Sequence, residues 1–138
     1  MLNVLTPADF ALFRANMRQR YDSLPRELHC RCLHRKIIRN ARGFHHLLYD
    51  GSGHARSIRE AYRKLMLIPL IPVVLRTATE STYEKKFSRK NRKKDSPSVK
   101  VEKWGMEAIV GKSNIRVRVV VRRENGGQFF FWSVMQIN

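Results

Sequence analysis

The chain has 138 residues, 43% of them hydrophobic, which suits one domain with a modest core and excludes a disordered chain. Lysine and arginine number 28 against 11 aspartates and glutamates, a formal charge of +17 that repels itself in a compact body and calls for a polyanionic partner. The charge recurs along the chain instead of forming one tail, so nucleic acid is expected ahead of a membrane surface.

The longest apolar run, Leu65 to Leu75, holds two prolines and is too short to span a bilayer. Asp9 and Arg14 interrupt the early apolar stretch, so no secretory signal is expected. Cys30 and Cys32 are too close together to staple a fold, and a reducing, cytoplasmic setting follows as the default.

In chain order, Thr6-Pro7-Ala8-Asp9 reads as a helix start, with Thr6 as the cap and Pro7 at the first helical position. Phe10, Phe13, Met17 and Tyr21 follow at helical spacing to about Asp22, where Leu24-Pro25 ends the element. A second helix is predicted over 26–42, with Leu28, Cys32, Ile37 and Ile38 on its apolar side and Gly43 as its stop. Phe44 to His54 reads as an apolar stretch running into a Gly-Ser-Gly turn, unlike a helix interior. A further helix is predicted over 55–67. Pro69 and Pro72 make a turn, and Val73 to Ser81 is assigned to helix ahead of strand.

Seven of the ten residues from Lys85 to Lys94 are basic, which predicts a loop or hairpin tip over 85–98. Val99 to Val110 reads as a strand with Gly105 as a bulge. Ile115, Val117, Val119 and Val121 alternate with Arg116, Arg118 and Arg122, the pattern of a half-buried strand with one basic face. Asn125-Gly126 marks a hairpin turn into a last strand from Gln128 to Ile137. Helices first and an antiparallel meander last predict a single α+β domain over 1–138, with N-terminal helices to residue 43 and a core of further helices and the sheet over 44–138.

A basic strand face beside a cationic segment suits a phosphate backbone with little demand on base sequence. The expected contacts are Arg56, Arg59, Lys85, Lys86, Arg89, Lys90, Arg92, Lys93, Lys94, Arg116, Arg118 and Arg122. His45, His46 and His54 are the sharpest local feature. RNA cleavage without a metal needs a base for the 2′-hydroxyl proton, an acid for the leaving 5′-oxygen, and a fixed cation for the phosphate. Among the aromatics, Trp132 and the run Phe129 to Phe131 alternate across two faces, one of which must be core. The cluster from His29 to His34 holds two cysteines and two histidines, but adjacent ligands on a helix point apart, and no metal site is predicted.

His46-Leu47-Leu48-Tyr49-Asp50-Gly51, followed by Gly53-His54, resembles the signature of bacterial EndoU-like nuclease toxins, part of the barnase–EndoU–colicin–RelE group of ribonucleases. The likeness spans residues 44–138. It implies a twisted antiparallel sheet with helices on one side, cofactor-free cleavage of RNA to a 2′,3′-cyclic phosphate, and His46 and His54 as the acid–base pair. It also implies Lys64 as the phosphate ligand and Ser133 as the hydroxyl that orients the phosphate. His45 stands as an alternative to His46, and Arg56 or Arg59 as alternatives to Lys64. Here Gly51-Ser52-Gly53 replaces a triple glycine, and Trp132-Ser133-Val134-Met135 replaces Thr-Ala-Tyr-Pro. The partners implied are RNA, tRNA among the candidates, and an acidic antitoxin or immunity protein. A non-catalytic nucleic-acid-binding accessory protein is the other reading of the same charge.

Overall fold

Thr6 opens the first helix, α1 (Pro7–Asp22), its Oγ1 accepting the backbone N–H of Asp9 at 3.1 Å. The computed structural model describes residues 6–89 and 98–138. Met17 and Tyr21 of α1 are buried, and Phe10 and Phe13 pack against the core from its edge.

The helix predicted over 26–42 is instead a hairpin, β1 (Glu27–Cys30) and β2 (Arg35–Ile38). The burial alternates with period two, since Leu28 and Cys30 are inside while Glu27 and His29 are outside. The connecting turn carries no Gly, Pro or Asn. It closes because His34 adopts a left-handed φ of 51°.

Helix α2 (Ala41–Leu48) follows at once, so the stretch from Phe44 is helical after all. Asn40 caps it, Oδ1 accepting from the N–H of Arg42 at 3.1 Å and of Gly43 at 3.3 Å. Gly43 therefore lies in the first turn and does not stop a helix. Its lack of a side chain serves packing, since a Cβ there would lie 2.6 Å from the Phe131 carbonyl oxygen and 2.7 Å from the Tyr21 hydroxyl.

Helix α3 (Ile58–Leu65) starts later than predicted, because Ser57 caps it through the N–H of Glu60 at 3.2 Å. A 3-10 turn at Ile68–Leu70 leads into α4 (Ile71–Thr77), each with a proline in its first turn.

Four strands complete the fold: β3 (Ser81–Arg89), β4 (Ser98–Val110), β5 (Ile115–Glu124) and β6 (Phe130–Ile137). The loop predicted over 85–98 is corrected in part. Lys85, Lys86 and Arg89 belong to β3, whose nine residues pair in unbroken register with β4, and Ser98 already belongs to β4. Lys90, Arg92, Lys93 and Lys94 lie outside the described residues.

The sheet order is β1-β2-β6-β5-β4-β3, antiparallel except for a parallel bridge between Ile38 and Phe130. The protein is an α+β fold. One apolar cluster unites α1, α2, α3 and α4 with one face of the sheet, including Tyr21, Leu47, Leu65, Leu75, Val117, Val119, Val121 and Phe131. No helix among the described residues is long and apolar enough to cross a membrane.

The opposite sheet face is open. By register it carries Glu84 and Lys86 of β3, Lys103 and Gly105 of β4, and Arg118, Val120 and Arg122 of β5. The bulge predicted at Gly105 is found on β6 instead. Val120 pairs with Ser133 and Val121 with Phe131, leaving Trp132 as the extra residue. Gly105 stays in regular register, where its bare Cα leaves room for Thr82 Oγ1 and the Arg118 side chain. The bulge turns both Trp132 and Ser133 toward the open face while Phe131 and Val134 stay in the core.

Candidate nucleic-acid cleft

Helices α2 and α3 pack against β6 and wall one side of the open face. Between that wall and strands β3 to β5 runs a cleft with two lobes, of 610 and 750 Å³, that share His46, Asp50, Gly51, Glu84, Lys103 and Trp132. The first lobe adds Arg42, His45, Tyr49, Lys86 and Arg122. The second adds Arg56, Lys64, Arg118 and Ser133.

His46 sits in the last turn of α2 and packs against Trp132, with ring centroids 4.2 Å apart and planes tilted by 35°. Its Nδ1 is buried without a hydrogen-bond partner among the described residues. Burial, and then the charges of Arg56, Lys64, Lys103 and Arg122, push its pKa down to about 4. The imidazole is therefore neutral at physiological pH. A neutral imidazole keeps one nitrogen lone pair as an acceptor.

Arg56, predicted as a phosphate contact, is held by protein groups. Its Nε and Nη2 donate to the His46 carbonyl at 3.2 and 3.1 Å, and Nη1 meets Glu60 at 3.0 Å. Only 11% of its side chain is exposed. It fixes the C-terminal turn of α2 and so the His46 ring.

Lys64 and Ser133 meet on the second lobe. Lys64 Nζ donates to Ser133 Oγ at 3.4 Å and to the Val134 carbonyl at 3.3 Å. Ser133 is 3% exposed. Burial and the Arg56 charge lower the pKa of Lys64, and Glu60 works the other way.

His54 is not brought to the cleft. It lies on the turn between α2 and α3, lines neither lobe, and leaves 81% of its side chain exposed. Asp50 shapes that turn, its Oδ1 accepting the N–H groups of Ser52 and His54 at 2.9 and 3.0 Å, and Gly53 takes a φ of +81°. The His54 ring stands 3.8 Å from the same carboxylate. His45, the alternative, lines the first lobe and stacks on Tyr49 at 4.4 Å.

Of the predicted cationic contacts, Lys86, Arg118 and Arg122 line the cleft, whereas Arg59 and Arg116 are exposed beyond it. Lys85 faces the other side of the sheet by register, opposite Glu102. The side chain of Arg89 is not described. Carboxylates fix most of the cleft arginines. Glu124 holds Arg42 through two bonds of 3.1 and 2.9 Å and Arg122 through one of 3.1 Å, and Glu107 meets Arg118 at 2.9 Å.

Three contributors are absent from the predicted set. Arg42 enters because α2 begins before it. Lys103 enters because β4 pairs Lys103 with Arg122 and with Glu84. Trp132 is neither a core residue nor a free stacking platform, since His46 lies on it and Arg122 Cζ sits 4.2 Å from its centroid.

Cys30 and Cys32 are free, with sulfurs 3.9 Å apart, and among the described residues no group of three His, Cys, Asp or Glu side chains gathers as metal ligands. No family model, curated protein or solved structure matches the chain.

Proposed function

We propose that the protein is an endoribonuclease of the toxin kind that cleaves RNA through its own 2′-hydroxyl, with His46 as the base. The observation that carries the reading is a neutral imidazole, with its Nδ1 unpartnered, set among fixed cations in an open cleft. His46 takes the 2′-hydroxyl proton, the 2′-oxygen bonds to phosphorus, and the bond to the 5′-oxygen breaks. The products are a 2′,3′-cyclic phosphate and a 5′-hydroxyl, the latter needing one proton from an acid.

Lys64 serves the phosphate, and Ser133 serves Lys64 by holding its ammonium at the floor of the cleft. Arg122 and Arg42, locked on Glu124, present a rigid positive wall that needs no reorganisation when charge builds on the pentavalent phosphorus. The resemblance to EndoU-like toxins names the same His46 and Lys64 and differs at His54 and in the role of Ser133. An acidic antitoxin or immunity protein fits the charge of +17. Cationic binding without chemistry is the second reading, favoured by the exposure of His54.

The pH dependence of kcat/KM on an RNA oligonucleotide tests the reading. A base with a pKa of about 4 stays deprotonated as pH falls from 7 to 5.5, so less than about a twofold loss is expected. An ordinary histidine, titrating near 6.5, would lose about tenfold over that range. The 2′-deoxy oligonucleotide should bind and stay intact. RNA that binds equally well and also stays intact supports the second reading.

A further inference from the structure

We propose that Lys103 is the acid that protonates the leaving 5′-oxygen, an assignment that rests on the ribonuclease reading and supplies the group it lacks. Lys103 projects from the open face of β4 and lines both lobes, as His46 and Trp132 do.

The cleft cations differ in what already holds them. Arg42 and Arg122 are tied to Glu124, Arg118 to Glu107, Arg56 to Glu60 and Lys86 to Glu84. Lys64 is tied to Ser133 and the Val134 carbonyl. Lys103 makes no hydrogen bond or ion pair among the described residues, and its one contact of note places Nζ 5.9 Å from the Trp132 ring centroid. Its three donors are available to an incoming oxygen.

Position separates Lys103 from Lys64 as well. An in-line displacement needs base and acid on opposite sides of phosphorus. Lys64 comes from α3, which packs beside α2 on β6, the same wall that carries His46. Lys103 comes from β4, two strands away across β5, or about 10 Å at ordinary strand spacing. A phosphate fits between two side chains that converge over that gap, and both His46 and Lys103 approach the one Trp132 ring between them.

The charged groups around Lys103 suit proton release. It faces Arg122 on β5, Glu84 and Lys86 on β3, and His46 on α2. Burial and the neighbouring Arg122 hold its pKa below the usual lysine value, with Glu84 opposing and Lys86 adding to the fall. As the bond from phosphorus to the 5′-oxygen breaks, its electron pair stays on that oxygen and takes the proton from the Lys103 ammonium. The neutral amine regains a proton from solvent.

Two substrates separate proton donation from charge stabilisation. An RNA oligonucleotide releases an alkoxide that must be protonated, whereas a nucleoside 3′-(4-nitrophenyl) phosphate releases an anion that leaves unaided. Lys103→Met and Lys103→Arg are compared with wild type, with folding checked by thermal melting. Both variants should lose about a hundredfold in kcat on RNA and stay within about threefold on the aryl ester. The alkaline limb of the wild-type profile should appear on RNA and vanish on the ester. An equal loss on both substrates, full rescue by arginine on RNA, or no loss at all overturns the assignment. A wild-type protein that leaves both substrates intact overturns the ribonuclease reading itself.

Discussion

Replacing His46 by alanine is expected to lower the rate of RNA cleavage by about a thousandfold while changing the RNA dissociation constant by less than about threefold. The reason is a division of labour within the cleft. The cations that line the cleft come from β3, β4, β5, α2 and α3, and removing one neutral ring leaves their charge in place. His54→Ala is the natural control. Its side chain stands outside both lobes, so its cleavage rate should remain within about twofold of wild type. A gel-based rate measurement beside a filter-binding titration reads both quantities. Equal losses for the two alanine variants would return His54 to the reaction and require the turn at residues 50–54 to swing inward.

Gly43→Ala should be the most damaging single substitution to stability, at about 3 kcal/mol by urea denaturation. The added methyl would stand 2.5 Å from Phe131 Cδ2, 2.6 Å from the Phe131 carbonyl oxygen and 2.7 Å from the Tyr21 hydroxyl. Two of these neighbours cannot yield cheaply. The carbonyl belongs to a sheet strand, and the hydroxyl is held by donation to the Asn40 carbonyl at 2.6 Å. The same point couples fold to function, because α2 carries His46 three residues further on. Gly51→Ala provides the comparison, since a Cβ there meets nothing within 4 Å and the change should stay within about 0.5 kcal/mol. A midpoint for Gly43→Ala equal to that of Gly51→Ala would mean that α2 does not lie this close to β6.

Local chemistry was legible where one residue does one job. Thr6 with Pro7 marks the start of α1. Asn125 and Gly126 mark the last hairpin and take φ values of 49° and 69°, the left-handed pair such a turn requires. The alternation of valine with arginine along β5 gave both the strand and its cationic face, because period two needs no knowledge of neighbours.

What stayed hidden depends on pairing across the chain. The hairpin over 27–38 offers only four residues per strand and a turn closed by a histidine, so its apolar residues also suit a helical spacing. Trp132 faces the cleft because β6 slips by one residue against β5, and a slip is a property of two strands together. Lys103 belongs to the site only through its register with Arg122 and Glu84. His54 shows the converse case. It lies only eight positions after His46, but the Asp50 carboxylate folds the turn so that the second ring points to solvent.

The proposed mechanism turns the 2′-hydroxyl of RNA against its own phosphate. The chemical ends of the products test it most directly. A defined RNA oligonucleotide is incubated with the protein in EDTA, and the fragments are weighed by mass spectrometry. The expected products are an upstream fragment ending in a 2′,3′-cyclic phosphate and a downstream fragment beginning with a 5′-hydroxyl. Uncut RNA, or fragments bearing 5′-phosphates and 3′-hydroxyls, would contradict it.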